Sequence, residues 1–230
     1  MTWTAPGAFL VTTTSSLTMS NQAIGNLVLV EVINWTNKTV WASSISGGGC
    51  TWSAIGAHVS SSPNTYSAAL FAGTVTATGA GTATIAWSGA APANFFCFGR
   101  EFHSSVGPWS TDKTGTIDVA SGNNWASLTP AGNGELYFGV ANCSTSSVSA
   151  STSGYVYGIS LDSNGNSCAY NLNCAAGVAT FPAFTDGNQQ FGIMVLMQES
   201  IAILPQQAKK RMPAIFTRLT TPSRSGAYSR

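Results

Sequence analysis

Near the start of the chain stands the run Leu27-Val28-Leu29-Val30-Glu31-Val32-Ile33, which is apolar at every position but one. A similar run, Phe191-Gly192-Ile193-Met194-Val195-Leu196-Met197, stands near the other end. Short runs that are apolar on both faces are typical of central strands covered on both sides. We therefore expect two central strands, each packed on one face against an opposing sheet. The other face needs a further cover, such as a neighbouring subunit.

Shorter runs rich in Val, Thr, Ile, Phe and Tyr recur along the rest of the chain, separated by clusters of Gly, Ser, Asn and Pro. Helical periodicity of apolar residues is nearly absent, so the pattern is that of strands. It predicts an all-β, antiparallel β-sandwich, jelly-roll-like, with an extended C-terminal arm. The clearest strands are predicted at 9–14, 26–35, 50–59, 67–76, 83–87, 95–103, 115–119, 135–142, 155–161, 167–172 and 191–199.

Charge is scarce in this chain of 230 residues: 7% are charged and 44% are hydrophobic. An ordinary soluble domain has roughly 25% charged residues. The hydrophobic content and the formal net charge of +1 exclude a disordered chain. A surface so poor in charge indicates a protein that is glycosylated, secreted or packed inside a larger assembly.

Basic residues are concentrated at the C-terminus. Six of the nine lie in the last 22 positions, so residues 1–208 carry three basic and eight acidic residues, a net charge of −5. We expect a body at 1–200 and a basic extended arm at 201–230 that binds a partner. The expected partner-binding residues are Lys209, Lys210, Arg211, Ile215, Phe216, Arg218, Leu219, Arg224, Tyr228 and Arg230. The acidic body of a neighbouring copy is favoured over nucleic acid, because no helix or stacking module accompanies the cations.

Motifs for catalysis, cofactors or metals are not evident. Glu101 and His103 share one face of a predicted strand, with Arg100 opposite, and hydrogen bonding to a loop is favoured over acid–base chemistry. The eight acidic residues are scattered singly, and no phosphate loop or nucleophile elbow occurs. The stretch Asp162-Ser163-Asn164-Gly165-Asn166 imitates half a calcium loop, but a hairpin turn is favoured. We expect no catalytic residue, cofactor or metal.

Cysteines and tryptophans leave two alternatives open. Five cysteines are an odd number; Cys168 and Cys174 could close a small loop, although a reduced interior is favoured. Four tryptophans could form a carbohydrate-binding platform, although core or interface packing is favoured. They are Trp41, Trp52, Trp109 and Trp125.

Export and membrane insertion are not expected, because no signal peptide and no apolar run of membrane-helix length is visible.

Several short motifs resemble a β-sandwich family of minor tail proteins and other virion proteins of tailed bacteriophages, especially those of actinobacteria, and of some bacterial surface proteins. The matching stretches lie at 25–30, 40–49, 51–52, 69–75, 81–85, 100–102 and 134–139. Structural glycines and strand starts carry the resemblance, which covers about residues 20 to 200. Cys50, Cys97 and the pair Phe102-His103 depart from the family pattern. The family supplies no catalytic residues, so the resemblance implies a fold and a structural role.

These observations predict a non-enzymatic minor tail protein of a virion, assembled in the host cytoplasm. Its sandwich and arm are expected to pack against copies of itself and other virion proteins, without nucleic acid or membrane insertion. One alternative is a carbohydrate-binding adhesin at the tail tip or cell surface, which would bind a host-surface glycan. A third alternative is a capsid decoration protein.

Overall fold

A computed structural model describes residues 3–119, 125–143, 152–159, 166–183 and 190–200. These residues form fifteen strands, and every strand pair is antiparallel. The strands are β1 (Trp3–Thr4), β2 (Leu10–Thr12), β3 (Ser16–Asn21), β4 (Leu27–Asn34), β5 (Ala42–Gly47), β6 (Cys50–Ala54), β7 (Val59–Ser60), β8 (Ser67–Val75), β9 (Gly79–Trp87), β10 (Phe95–Ser104), β11 (Trp109–Val119), β12 (Glu135–Cys143), β13 (Val156–Ile159), β14 (Ser167–Cys174) and β15 (Gln190–Glu199). The prediction of an all-β antiparallel sandwich is confirmed.

Three sheets stack in layers. The seven-stranded sheet has the order β1-β10-β4-β8-β6, with β2 on β10 and β7 on β8. A five-stranded sheet, β11-β15-β12-β14-β13, covers one of its faces, and a three-stranded sheet, β3-β9-β5, covers the other. The seven-stranded sheet is therefore the middle layer, which explains why β4 is buried along its whole length.

Each face of β4 belongs to a different core. Leu29 packs with Phe138 and Val195 between the seven- and five-stranded sheets. Val30, which points the opposite way, packs with residues of the three-stranded sheet such as Ile85. The second face of β4 is thus covered by the chain itself, and the expectation that a neighbouring subunit covers it is wrong.

The outer face of β15 is also covered from within the chain. Met194 and Leu196 pack there against Trp125 and Leu128. An isolated bridge between Leu128 and Thr180 joins the two segments that lie over this face. The close packing of β15 needs a glycine at 192, because a Cβ there would stand 2.0 Å from the carbonyl oxygen of Val140.

The predicted strands differ from the observed ones in a few places. The predicted strand 50–59 is interrupted at Gly56, whose φ of 69° lies in the left-handed region, and forms β6 and β7. Strands β1, β3 and β5 were not predicted, because each has few apolar residues. Strand β3 is half-buried in strict alternation and forms because it pairs with β9. In β9, Thr82, Thr84 and Ala86 point outward and alternate with the buried Ala83 and Ile85.

Two sequence-based predictions fall outside the described residues: the hairpin turn or calcium-like loop at 162–166, and the arm at 201–230. Among the residues that the structure describes, there is no helix that could cross a membrane.

Candidate functional site

The carboxylates of the body bond to the body's own backbone. Each of the six that the structure describes accepts at least one main-chain N–H. The pairs are Glu31 with Ile193, Glu101 with Gln22 and Ala23, Asp112 with Ala131, Asp118 with Ser62, Glu135 with Gly132, and Glu199 with Ser105. All four glutamates of the chain are at most 5% exposed. These carboxylates therefore hold loops and strands together.

The three described basic side chains also bond to the body's own backbone, each as a donor to a main-chain carbonyl. Lys38 donates to the carbonyl of Ser61, and Lys113 donates to that of Thr129. Arg100 donates through Nη2 to the carbonyl of Ala5 at 2.8 Å. Its guanidinium also lies 4.6 Å from the ring centre of Phe9 and 5.5 Å from that of Tyr170. The described charged groups thus all have hydrogen-bond partners within the chain, and docking of the arm on the acidic body of a neighbouring copy stays a prediction.

Glu101 and His103 form a network with one loop. The Glu101 carboxylate accepts hydrogen bonds from the N–H groups of Gln22 and Ala23 and, at 2.5 Å, from Nδ2 of Asn26. Nδ1 of His103 lies 2.8 Å from Oδ1 of the same Asn26. The favoured interpretation, a polar strand end that bonds to a loop, is confirmed.

Glu31 is the most deeply buried carboxyl described. It leaves β4 toward the five-stranded sheet, where Oε1 accepts the N–H of Ile193 at 2.8 Å. Oε2 is buried and has no hydrogen-bond partner among the described residues. Burial raises the pKa of Glu31 well above its ordinary value, and the N–H groups of Ile193 and Val140 offset only part of that shift. The carboxyl therefore links two sheets as a neutral acid over part of the pH range.

Asp112 and Glu135 are brought together although they are far apart in sequence. A β-bulge in β11 falls at Asp112, between Thr111 and Lys113, and Glu135 opens β12 on the other side of β15. Burial raises the pKa of Glu135, the N–H of Gly132 lowers it, and the nearby charge of Asp112 raises it again. Sequence reasoning missed this pair because only the bulge and the intervening strand bring the two residues close. Asp112 accepts the N–H of Ala131 and Glu135 accepts the N–H of Gly132, so the two carboxyls together hold the turn at 131–132.

Among the described residues, no group of three His, Cys, Asp or Glu side chains is arranged to hold a metal ion. Cys168 and Cys174 are free thiols. Cys168 faces the inner core and Cys174 the outer cluster of the five-stranded sheet. The pairing of β12 with β14 shifts register between these two cysteines. The shift reverses the alternation of side chains, so the two thiols lie on opposite faces of the sheet.

The four tryptophans do not share one environment. Trp125 is 2% exposed and belongs to the outer cluster, which confirms core packing for this residue. Trp52 is half-buried and donates from Nε1 to the carbonyl of Gly47. Trp109 packs against the inner core. Trp41 stacks on His58, with ring centres 3.7 Å apart and planes at 4°, beside an open cleft.

The ten expected partner-binding residues of the arm, Lys209 to Arg230, lie outside the described residues. The last described residue, Ser200, is fixed to the body. Its N–H donates to the carbonyl of Pro108 at 2.6 Å, and its hydroxyl lies 3.2 Å from that of Ser110. The last described residue is therefore held at a defined point, the end of the sandwich where β15 ends beside β11.

A groove of about 570 Å³ opens at that end of the sandwich. Its lining includes Ile24, Thr74, His103, Pro108 and Trp109. One wall is the loop that Glu101 holds, which includes Ile24 and Asn26, and the other wall includes Pro108, which anchors Ser200.

No family model, no curated protein and no solved structure matches this chain. The resemblance to phage virion proteins therefore remains a prediction.

Proposed function

We propose that this chain is a non-enzymatic structural protein of a tailed-phage virion, a minor tail protein that packs through its β-sandwich and docks its C-terminal arm on neighbouring subunits. The observation that carries the proposal is that every described charged side chain bonds to the chain's own backbone. Such an arrangement uses charge to hold the fold, and it supports a role in packing better than a role in chemistry.

The outward surface of the sandwich suits close packing. Thr82, Thr84 and Ala86 point outward from β9, and none of them carries a charge. The cores of protein interfaces are depleted of charged residues, because a charge that loses its water must find a partner. A body that has already satisfied its charges internally loses little when another β surface covers it.

Most of the cationic charge lies in the arm, which carries six of the nine basic residues beyond position 208. The described part of the body carries six carboxylates and three basic side chains, so it offers the arm a net negative partner. Docking on copies of itself and docking on other virion proteins are both consistent with this charge distribution.

Full-length variants test the proposal by their incorporation into particles and by native mass at low and high salt. One variant replaces the six basic residues of the arm with glutamine; a matched variant replaces Ile215, Phe216, Leu219 and Tyr228 with serine. We expect both to be lost from particles while their thermal unfolding stays that of the parent chain. Normal incorporation of both variants would contradict the proposal. Labelling of incorporated protein in the head rather than the tail would favour a capsid decoration protein instead.

The carbohydrate-binding alternative keeps one supporting observation, the Trp41–His58 stack beside a cleft of roughly 190 Å³. Aromatic faces are common sugar platforms, but His58 already covers one face of Trp41. A glycan-binding screen of the full chain, repeated with Trp41→Ala, tests this alternative. Trp52→Ala is the matched control, because Trp125 is buried and its replacement would test the fold.

A further inference from the structure

The groove beside Ser200 exposes apolar surface that the described residues leave uncovered. Ile24, in its wall, is 70% exposed, and Val106, in the adjoining loop, is 45% exposed. Only four large hydrophobic side chains among the described residues are exposed to this degree, and two of them stand at this end of the sandwich. Clustered exposed apolar residues around a concave surface are typical of a docking site.

The described chain ends at the rim of this groove. Ser200 is hydrogen-bonded to Pro108, and Pro108 lines the groove. The next residues along the chain are Ile201-Ala202-Ile203-Leu204-Pro205, which are apolar throughout, and the polar Gln206-Gln207 follow. Four extended residues span about 13 Å, so Ile201 to Leu204 can enter the groove from Ser200 without a linker.

We propose that the apolar segment Ile201–Leu204 of the same chain docks in the groove between Ile24 and Trp109. The segment shields Ile24 from water and fixes the root of the arm. The change from apolar to polar residues after Pro205 marks the point at which the arm leaves the body. The basic residues from Lys209 onward are then free to reach another subunit.

The occupant is the chain's own segment because its first residue follows an anchored one. Hydrogen bonds hold Ser200 to Pro108 and Ser110, so the proposed segment begins directly after a residue fixed at the rim. The same segment of a second copy would have to displace it. A fixed attachment keeps the effective concentration of a tethered segment high, which favours docking within the chain.

Disulfide trapping tests this proposal on the full-length protein. The double variant Ile24→Cys, Ile203→Cys is oxidised with copper–phenanthroline, and the products are mapped by non-reducing gels and peptide mass spectrometry. Val156→Cys with Ile203→Cys is the matched control: Val156 is 45% exposed but lies on β13, four strands from β11, or about 19 Å. Each single variant reports the background from the native thiols.

We expect a 24–203 disulfide within one chain that forms at least tenfold faster than the 156–203 disulfide. Equal rates, or no 24–203 disulfide, would overturn the proposal. A 24–203 disulfide that joins two chains would also overturn it and assign the groove to a second copy. The described residues do not bury Ile24, so its replacement should leave the sandwich folded, and the melting temperature of each variant checks this.

The docked segment is the root of the arm that the proposed function employs. The disulfide is measured on the isolated protein, without particles. Docking can therefore fail while the arm variants are still lost from particles, and a formed disulfide can coexist with normal particle incorporation of those variants.

Discussion

Replacing Glu31 with glutamine should reduce the dependence of stability on pH. The Glu31 carboxyl is 0% exposed, and burial raises its pKa well above the ordinary value of 4.5. As the pH rises above 4.5, the unfolded chain releases the proton of Glu31 while the folded protein retains it. The unfolded state then binds fewer protons, so the free energy of unfolding falls until the pH passes the folded-state pKa.

The size of the effect follows from proton linkage. One proton bound by the folded state and released by the unfolded state lowers the free energy of unfolding by about 1.4 kcal/mol per pH unit. Glutamine cannot titrate, and its carbonyl oxygen can still accept the N–H of Ile193. The two proteins should therefore be similarly stable below pH 4 and diverge above it, with the wild type losing at most about 1.4 kcal/mol more per pH unit until the pH passes the folded-state pKa.

Urea unfolding followed by tryptophan fluorescence at pH 4, 5, 6 and 7 measures this difference, with the free energy obtained by linear extrapolation. Parallel pH dependences for wild type and Glu31→Gln would refute the reasoning, because they would show that Glu31 titrates alike in both states. Glu101→Gln is the control for loss of a buried glutamate. In Glu101→Gln the side-chain NH₂ would face the N–H donors that the Glu101 carboxylate accepts, so we expect this variant to be less stable than wild type already at pH 7.

Three further substitutions test the packing and the loop network. Glu101→Ala should cost roughly 2–3 kcal/mol and speed hydrogen exchange at Gln22, because several N–H donors lose their acceptor. Trp125→Ala should cost roughly 3–5 kcal/mol in urea unfolding, whereas the half-buried Trp41→Ala should cost clearly less; equal losses would contradict the assignment of Trp125 to the core. Gly192→Ala should lower the free energy of unfolding by more than the roughly 1–3 kcal/mol typical of overpacking, because the new Cβ meets a backbone carbonyl. An unchanged melting temperature would be inconsistent with that contact.

The local pattern of the sequence was sufficient for most of the strands. The apolar run of β4 and the alternation in β9 are visible in neighbouring residues, because a strand repeats every two positions. The pairing of Glu101 and His103 on one face was also predictable from their spacing. Strands β3 and β5 were not, because their sequences are mostly polar and they form only where β9 supplies a partner.

The sequence by itself determined the all-β class, the central strands and the clustering of basic residues after position 208, because these depend on local periodicity and composition. Only the tertiary structure decided that the chain covers both faces of its own central strands. It also decided that the carboxylates bond inward, as Glu31 does to Ile193, 162 positions away. Contacts between distant residues depend on how the sheets stack and where a bulge shifts the register, and no local pattern carries that information.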